Sequence, residues 1–278
     1  MKAGTTTLYH DLRSQRGIFL PDKESNALLA ADPENAYSRL FEKSGAGALK
    51  GEVCPDYTKP GSGDAAVERA TKLYRDRPAP KLIYLVREPI ARLRSHHHFI
   101  STQHGAANPG AMTPDLAASL RDFPELIETS CYASRLQPWL DAFGSEAVCV
   151  VRFEDYIADR VGTLRALAEL LGLPDFDPEA IQAETIHNAG ESRPVATPFW
   201  RKVMGNGIYR RFIRPWLSLE MRDRIRARLL PKAPSKPEPP SAETLRELRE
   251  RLRPEMESLV DLIGAEHPLW NEEKASQK

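Results

Sequence analysis

Apolar positions along the chain follow two patterns. Residues 81–86 (KLIYLV) and 147–153 (AVCVVRF) are continuous apolar runs, partly β-branched, as expected of strands buried on both faces of a parallel sheet. Shorter runs at 17–21 (GIFLP) and 51–54 (GEVC) predict a short strand or turn and a short strand ending at Pro55. Between these lie segments with helical signals. Residues 5–13 open a helix almost at the start, and 33–42 begin another with Pro33 in the first turn. Further helices are expected over 62–76, from Ile90 onward, over 130–143 with Leu136 and Leu140 four apart, and over 162–171, stopped by Gly172 and Pro174. Strands that alternate with helices indicate a mostly parallel sheet covered by helices.

Residues 102–114 are rich in Gly, Ala, Asn and Pro and read as a loop, while 231–240 carry five prolines and read as a linker. After the linker, Ser241 caps a last helix with Leu245, Leu248, Leu252, Met256 and Leu259 on one face and a kink expected at Pro254. The expected organisation is therefore an α/β domain over residues 1–230, a linker over 231–240, and a helical C-terminal extension over 241–278. A length of 278 residues suffices for a substantial core.

Composition narrows the function classes. The 39 Lys and Arg balance the 39 Asp and Glu, so no global field attracts nucleic acid. Three cysteines with no CxxC argue against a disulfide framework or a zinc site and suit a reducing cytoplasm. No apolar run reaches the roughly 20 residues of a membrane span. Charge is nevertheless uneven, since residues 193–230 hold ten Lys and Arg against two acids, with Trp200 and Trp216 among them. That stretch is either a solvated helix face or a basic lid over an anionic ligand or a membrane surface.

Two segments carry chemistry. The first is Lys2-Ala3-Gly4-Thr5-Thr6-Thr7, leading directly into a helix. A Gly-containing turn at a helix N-terminus presents unpaired N–H groups and a favourable dipole to phosphate. Lys2 supplies charge and the threonine hydroxyls add donors. In nucleoside-triphosphatase loops (GxxxxGK[ST]) the Lys follows the Gly; here it precedes it by two positions. The second segment is Arg87-Glu88-Pro89 at the carboxyl end of KLIYLV, with Ser95 eight residues after Arg87. An Arg there points into the crevice where open α/β sheets bind ligands, and an Arg fork with a hydroxyl suits a phosphate. The plain alternatives are a Thr-capped helix start and a surface Arg paired with Glu88.

Together and in this order, the two segments resemble the sulfotransferases that use 3′-phosphoadenosine 5′-phosphosulfate (PAPS), in particular their bacterial and glycosaminoglycan-type members. KAGTTTL is similar to the family's 5′-phosphosulfate loop, and VREPIARLRS to its 3′-phosphate motif. LPDKE (20–24), GEVCPDY (51–57), YASRLQPWL (132–140) and FEDY (153–156) extend the likeness, and Arg193-Pro194 stands where the family carries a basic loop over its cofactor.

The resemblance implies a P-loop-like fold and sulfuryl transfer to a hydroxyl or amine of a carbohydrate, lipid or other small-molecule acceptor, with PAP as product and no metal. It implies that Lys2, Ala3, Gly4, Thr5, Thr6, Thr7, Arg87, Ser95 and Arg193 hold the donor. Lys2 would stabilise the charge developing on the leaving phosphate, and Glu52 would be the base. A bacterial cytoplasmic enzyme is expected, with peripheral membrane contact through 193–230 as one option.

Other readings stay open at this level. A P-loop kinase-like phosphotransferase shares the strand–loop–helix cradle, and a degenerate ligand-binding member would keep the fold without the reaction. Glu52 has a structural alternative. His187 is a further candidate for contact with substrate or cofactor. The run His96-His97-His98 cannot chelate one ion, because consecutive helical residues point about 100° apart. Cys54 is expected to pack rather than react. In this fold a buried central strand precedes the phosphate loop, whereas here Met1 directly precedes Lys2, so that strand is expected to be missing from its slot in the sheet.

Overall fold

In a computed structural model, four short strands among the described residues pair in parallel, two by two. The structure describes residues 2–103, 112, 113, 115–181 and 239–270. β1 (Ile18–Phe19) pairs with β2 (Leu49–Lys50), and β3 (Leu82–Val86) with β4 (Val148–Arg152), in register from Leu82↔Val148 to Val86↔Arg152. Parallel neighbours need long crossovers, and helices supply them. α2 (Pro33–Leu40) crosses from β1 to β2, and α4 (Pro89–Gln103), α5 (Leu116–Asp122), α6 (Glu125–Glu128) and α7 (Tyr132–Phe143) lie between β3 and β4; α1 (Thr5–Ser14) precedes β1, α3 (Gly63–Leu73) lies between β2 and β3, and α8 (Phe153–Ala158) and α9 (Arg160–Leu170) follow β4.

Local chemistry explains several boundaries. Asp32 Oδ1 accepts the Asn35 N–H at 3.1 Å with Pro33 at the first helical position, which starts α2. Asp159 Oδ1 accepts the Gly162 N–H at 2.8 Å and starts α9. One expectation shifts. The strand sits at Leu49–Lys50, two residues before the expected 51–54, because β1 offers only two residues to pair with. Beyond it the Val53 carbonyl accepts the Glu24 N–H at 2.9 Å.

The apolar runs are continuous because both faces of β3 and β4 are covered. Ile83, Leu85, Cys149 and Val151 pack with Leu8 and Leu12 of α1 and with Leu164 and Leu167 of α9. Tyr84, Val86, Val148 and Val150 pack with Leu136 of α7 and Leu259 of the last described helix, α10 (Ala242–Ile263). Leu248, Leu252 and Leu259 form the buried stripe of α10, and Pro254 lies inside that helix without ending it. Among the described residues no hydrogen-bonded strand joins β2 to β3, yet Val53 and Ile83 share one apolar cluster while Tyr57 and Leu82 share another.

A buried ion pair ties α1 to α9. Arg160 donates to Asp11 from Nη2 at 2.5 Å and from Nε at 3.2 Å, and the Tyr156 hydroxyl donates to the same carboxylate. Both charged side chains are nearly sealed from water, at 4% and 3% exposure.

The chain forms two compact units. The described part of the first comprises 2–93, 124–181 and 242–270; that of the second comprises 94–103, 112, 113, 115–123 and 239–241. In the second unit His97 Nε2 lies 2.7 Å from the Thr113 carbonyl and 3.1 Å from Ser119 Oγ. Burial lowers its pKa, outweighing the Thr113 hydrogen bond and the charge of Asp115. Among the described residues no helix is long and apolar enough to cross a membrane.

Candidate active site

The site begins at the turn into α1. Ala3 is buried, and Gly4 takes the N-cap position in the left-handed region, at φ 88°. The helical ladder starts with Leu8 N–H to the Gly4 carbonyl at 3.1 Å, so the N–H groups of Thr5, Thr6 and Thr7 precede any intrahelical acceptor. No acidic side chain stands in this first turn. Glycine is required here twice over. A Cβ at Gly4 would adopt a disfavoured φ and would lie 2.6 Å from Phe153 Cδ2. Thr5 and Thr6 are partly exposed, while Thr7 is fully buried.

Three basic residues stand at or beside this turn. Lys2 precedes it with φ 66°, a strained conformation for a residue with a side chain. Arg87, at the end of β3, donates from Nη1 to the Lys2 carbonyl at 3.3 Å and lies over the Phe153 ring, 4.8 Å from its centroid. Burial lowers the pKa of Arg87, with the charges of Glu154 and Glu88 working against that shift. The Glu88 carboxylate is turned to the N-terminus of α4, accepting the Ile90 and Ala91 N–H groups at 3.0 and 2.6 Å. Lys23, from the loop after β1, donates to Thr6 Oγ1 at 2.7 Å.

Glu52 follows β2 and is held from three sides. Ser25 and Tyr37 donate hydroxyl hydrogen bonds to its two oxygens, and Tyr57 donates a third at 2.8 Å. Burial, seconded by the Glu52 charge, raises the pKa of both tyrosines well above the usual phenol range. They therefore act as hydrogen-bond donors. Cys54 donates from Sγ to Asn26 Oδ1 at 2.9 Å, and burial pushes its thiol up.

The structure thus gathers Lys2, Ala3, Gly4, Thr5, Thr6 and Arg87 around one turn, with Glu52 in the same unit. Ser95 is partly exposed on α4, in the second unit. Arg193, His187, the basic 193–230 stretch, nearly all of the 231–240 linker and residues 104–111 lie outside the described residues. Sequence reasoning missed Lys23 and Phe153 as site residues. Both act through contacts distant in sequence, and the only local signal was their presence in LPDKE and FEDY. A separate open cavity of about 420 Å³ is lined by Glu88, Ile90, Leu252, Met256 and Trp270 among others.

A Gly-containing turn that opens a helix on a parallel α/β scaffold gives a P-loop-like fold. Residues 64–178 match the model of a sulfotransferase family. A solved sulfotransferase from Alicyclobacillus acidocaldarius is similar in fold, with 17% identity, a TM-score of 0.60, and coverage of 96% of this chain and 93% of that one. The sulfotransferase domain from the curacin biosynthetic pathway aligns at 14% identity and a TM-score of 0.48, over 91% of this chain and 94% of that one. No curated protein matches the chain. The family match spans residues 64–178, and the likeness in fold extends over nearly the whole chain.

Proposed function

We propose that the protein transfers the sulfuryl group of PAPS to a hydroxyl or amine of a small-molecule, carbohydrate or lipid acceptor. The observation that carries this reading is that Lys23 reaches Thr6 and Arg87 reaches the Lys2 carbonyl at the acid-free first turn of α1. A desolvated guanidinium beside a helix N-terminus is stabilised by an anion, and a nucleotide carrying phosphates at both 3′ and 5′ positions offers two. In this reading the turn and Lys2 hold the 5′-phosphosulfate, while Arg87 and Ser95 hold the 3′-phosphate, with Arg193 contributing from the basic stretch. The donor supplies an activated sulfuryl group. Glu52 takes the proton of the acceptor, and Lys2 stabilises the charge that develops on the leaving phosphate.

Thermal-shift measurements with PAP, adenosine 5′-phosphate and ATP–Mg²⁺ separate this from the kinase-like alternative. PAP should raise the melting temperature, by an amount that grows with its concentration, and more than adenosine 5′-phosphate does. Stabilisation by ATP–Mg²⁺ alone would overturn the reading in favour of a phosphotransferase, and no response to any nucleotide would favour a non-catalytic member.

A further inference from the structure

The segment between β1 and α2 joins two parts of the site that are otherwise separate. Lys23 reaches Thr6 in the first turn of α1, across 17 positions of sequence. Two residues on, Ser25 donates its hydroxyl hydrogen to Glu52. Three residues of chain, Lys23 to Ser25, thus span from the phosphate turn to the carboxylate that would receive the acceptor proton.

This segment is held in a costly shape. Glu24 and Asn26 both sit in the left-handed region, at φ 63° and 54°, a conformation that the Glu24 side chain disfavours and that asparagine tolerates better. The anchors that hold it there are the Glu24 N–H on the Val53 carbonyl at 2.9 Å and the Cys54 thiol on Asn26 Oδ1 at 2.9 Å. Strain over-determined by its surroundings accompanies functional placement. Here its effect is to aim Lys23 and Ser25 at neighbouring parts of one site.

In sulfuryl transfer the bond from sulfur to the bridging phosphate oxygen breaks, and its electron pair stays on the phosphate. A new bond forms from sulfur to the acceptor oxygen, whose proton passes to the base. The moving group therefore lies between the phosphate cradle and the base, which is the interval that Lys23 and Ser25 bracket. Resting on the functional reading above, we propose that Lys23 is a catalytic residue that contacts the oxygens of the sulfuryl group itself. Lys2 and Arg87 serve the phosphates. The Thr6 hydroxyl positions the Lys23 ammonium.

PAP and PAPS differ only in the sulfuryl group, so their affinities isolate this role without a known acceptor. Calorimetric titration of the full chain and of Lys23→Gln and Lys23→Arg with each nucleotide provides the test. Lys23→Gln keeps a donor for Thr6 but removes the charge. It should weaken PAPS about tenfold while leaving PAP within about twofold, as expected for loss of one charge-assisted hydrogen bond. Lys23→Arg should keep most of the preference for PAPS. An unchanged ratio of the two affinities in Lys23→Gln overturns the assignment. Equal weakening of both nucleotides also overturns it, because that is the signature of a residue that only shapes the turn. If the parent chain binds neither nucleotide, the functional reading fails first and this assignment falls with it.

Discussion

The Arg87 guanidinium rests over the Phe153 ring, 4.8 Å from its centroid, and the same ring closes against Gly4. One aromatic side chain at the end of β4 therefore sets both the start of α1 and the cation at the end of β3. Gly4→Ala meets two costs, a left-handed φ and a Cβ at 2.6 Å from the ring. The first is worth about 1–2 kcal/mol, and the ring must move to relieve the second. Gly4→Ala should lower stability in urea by about 2 kcal/mol or more. In a Phe153→Ala background the additional cost should shrink toward the backbone part alone. Equal costs in both backgrounds would show that the ring does not limit this position.

Arg87 tests the phosphate assignment more directly. Removing a desolvated, stacked guanidinium by Arg87→Ala eliminates a charge-assisted contact worth roughly 1.5–3 kcal/mol. The affinity for PAP should fall about tenfold or more, and that for adenosine 5′-phosphate much less. PAP binding equal to that of the parent would remove Arg87 from the 3′-phosphate site.

The contrast between Arg87 and Lys23 shows where the sequence was readable. Arg87 ends an apolar run whose composition marks a strand buried on both faces, and a charge at the end of such a strand belongs in the crevice. That inference needs only local pattern, as do α2 from Asp32 and Pro33 and α9 from Asp159. Lys23 gave no such signal, because its partner is reached by a loop bent through left-handed residues at 24 and 26. Neither is a glycine, and only Asn26 is of a type that favours such a bend, so composition marks it weakly. The short strand near Gly51 was misplaced for a related reason. Its limits are set by the two residues β1 presents, and pairing of that kind is tertiary information. The hydroxyls around Glu52 come from three separate segments, and only Tyr57 stood near it in a recognisable motif.

The Asp11–Arg160 pair makes a stability prediction independent of nucleotide. Asp11→Ala leaves a guanidinium in a site only 4% exposed, together with a Tyr156 hydroxyl that has lost its acceptor. Breaking such a pair by removing one partner costs about 3–5 kcal/mol. Replacing both by apolar residues, as in Asp11→Leu with Arg160→Met, should recover much of the loss. Urea midpoints for the single and double variants decide it. A cost below about 1 kcal/mol for Asp11→Ala would mean that water reaches the pair.

His97 introduces a pH dependence with a definite sign. Its pKa is depressed by burial from the ordinary 6.5. The unfolded chain therefore takes up a proton near pH 6.5 that the folded chain refuses until lower pH. Between those two values the unfolded state binds more protons, so stability falls as pH falls through the window and is fully present above it. Below the folded value the loss is complete and this contribution becomes flat. Denaturant titrations of the parent and of His97→Gln between pH 5 and 8 provide the measurement. The slope attributable to this residue should vanish in His97→Gln, and identical slopes in the two proteins would exclude the effect.

Glu52 is the assignment most exposed to revision, because its carboxylate is fully engaged by Ser25, Tyr37 and Tyr57. A base in that position must exchange one of these donors for the acceptor hydroxyl. Tyr57, bonded at 2.8 Å, also accepts the Leu28 N–H at 3.0 Å, and Ser25 Oγ accepts the Ala27 N–H at 3.3 Å, so both are fixed from two directions and Tyr37 is the donor best placed to give way. Glu52→Gln preserves shape but cannot take a proton. Once an acceptor is found by screening with labelled PAPS, turnover by Glu52→Gln should fall about 10²-fold or more, with PAP affinity nearly unchanged. Full turnover would make Glu52 a structural carboxylate that shapes the Lys23 loop through Ser25. The next candidate would then be Glu24, an exposed carboxylate beside Lys23 whose strained backbone is bonded to the residue after Glu52. Glu24→Gln, measured in the same assay, distinguishes the two, because only the residue that accepts the proton should lose turnover while the melting temperature and PAP binding hold.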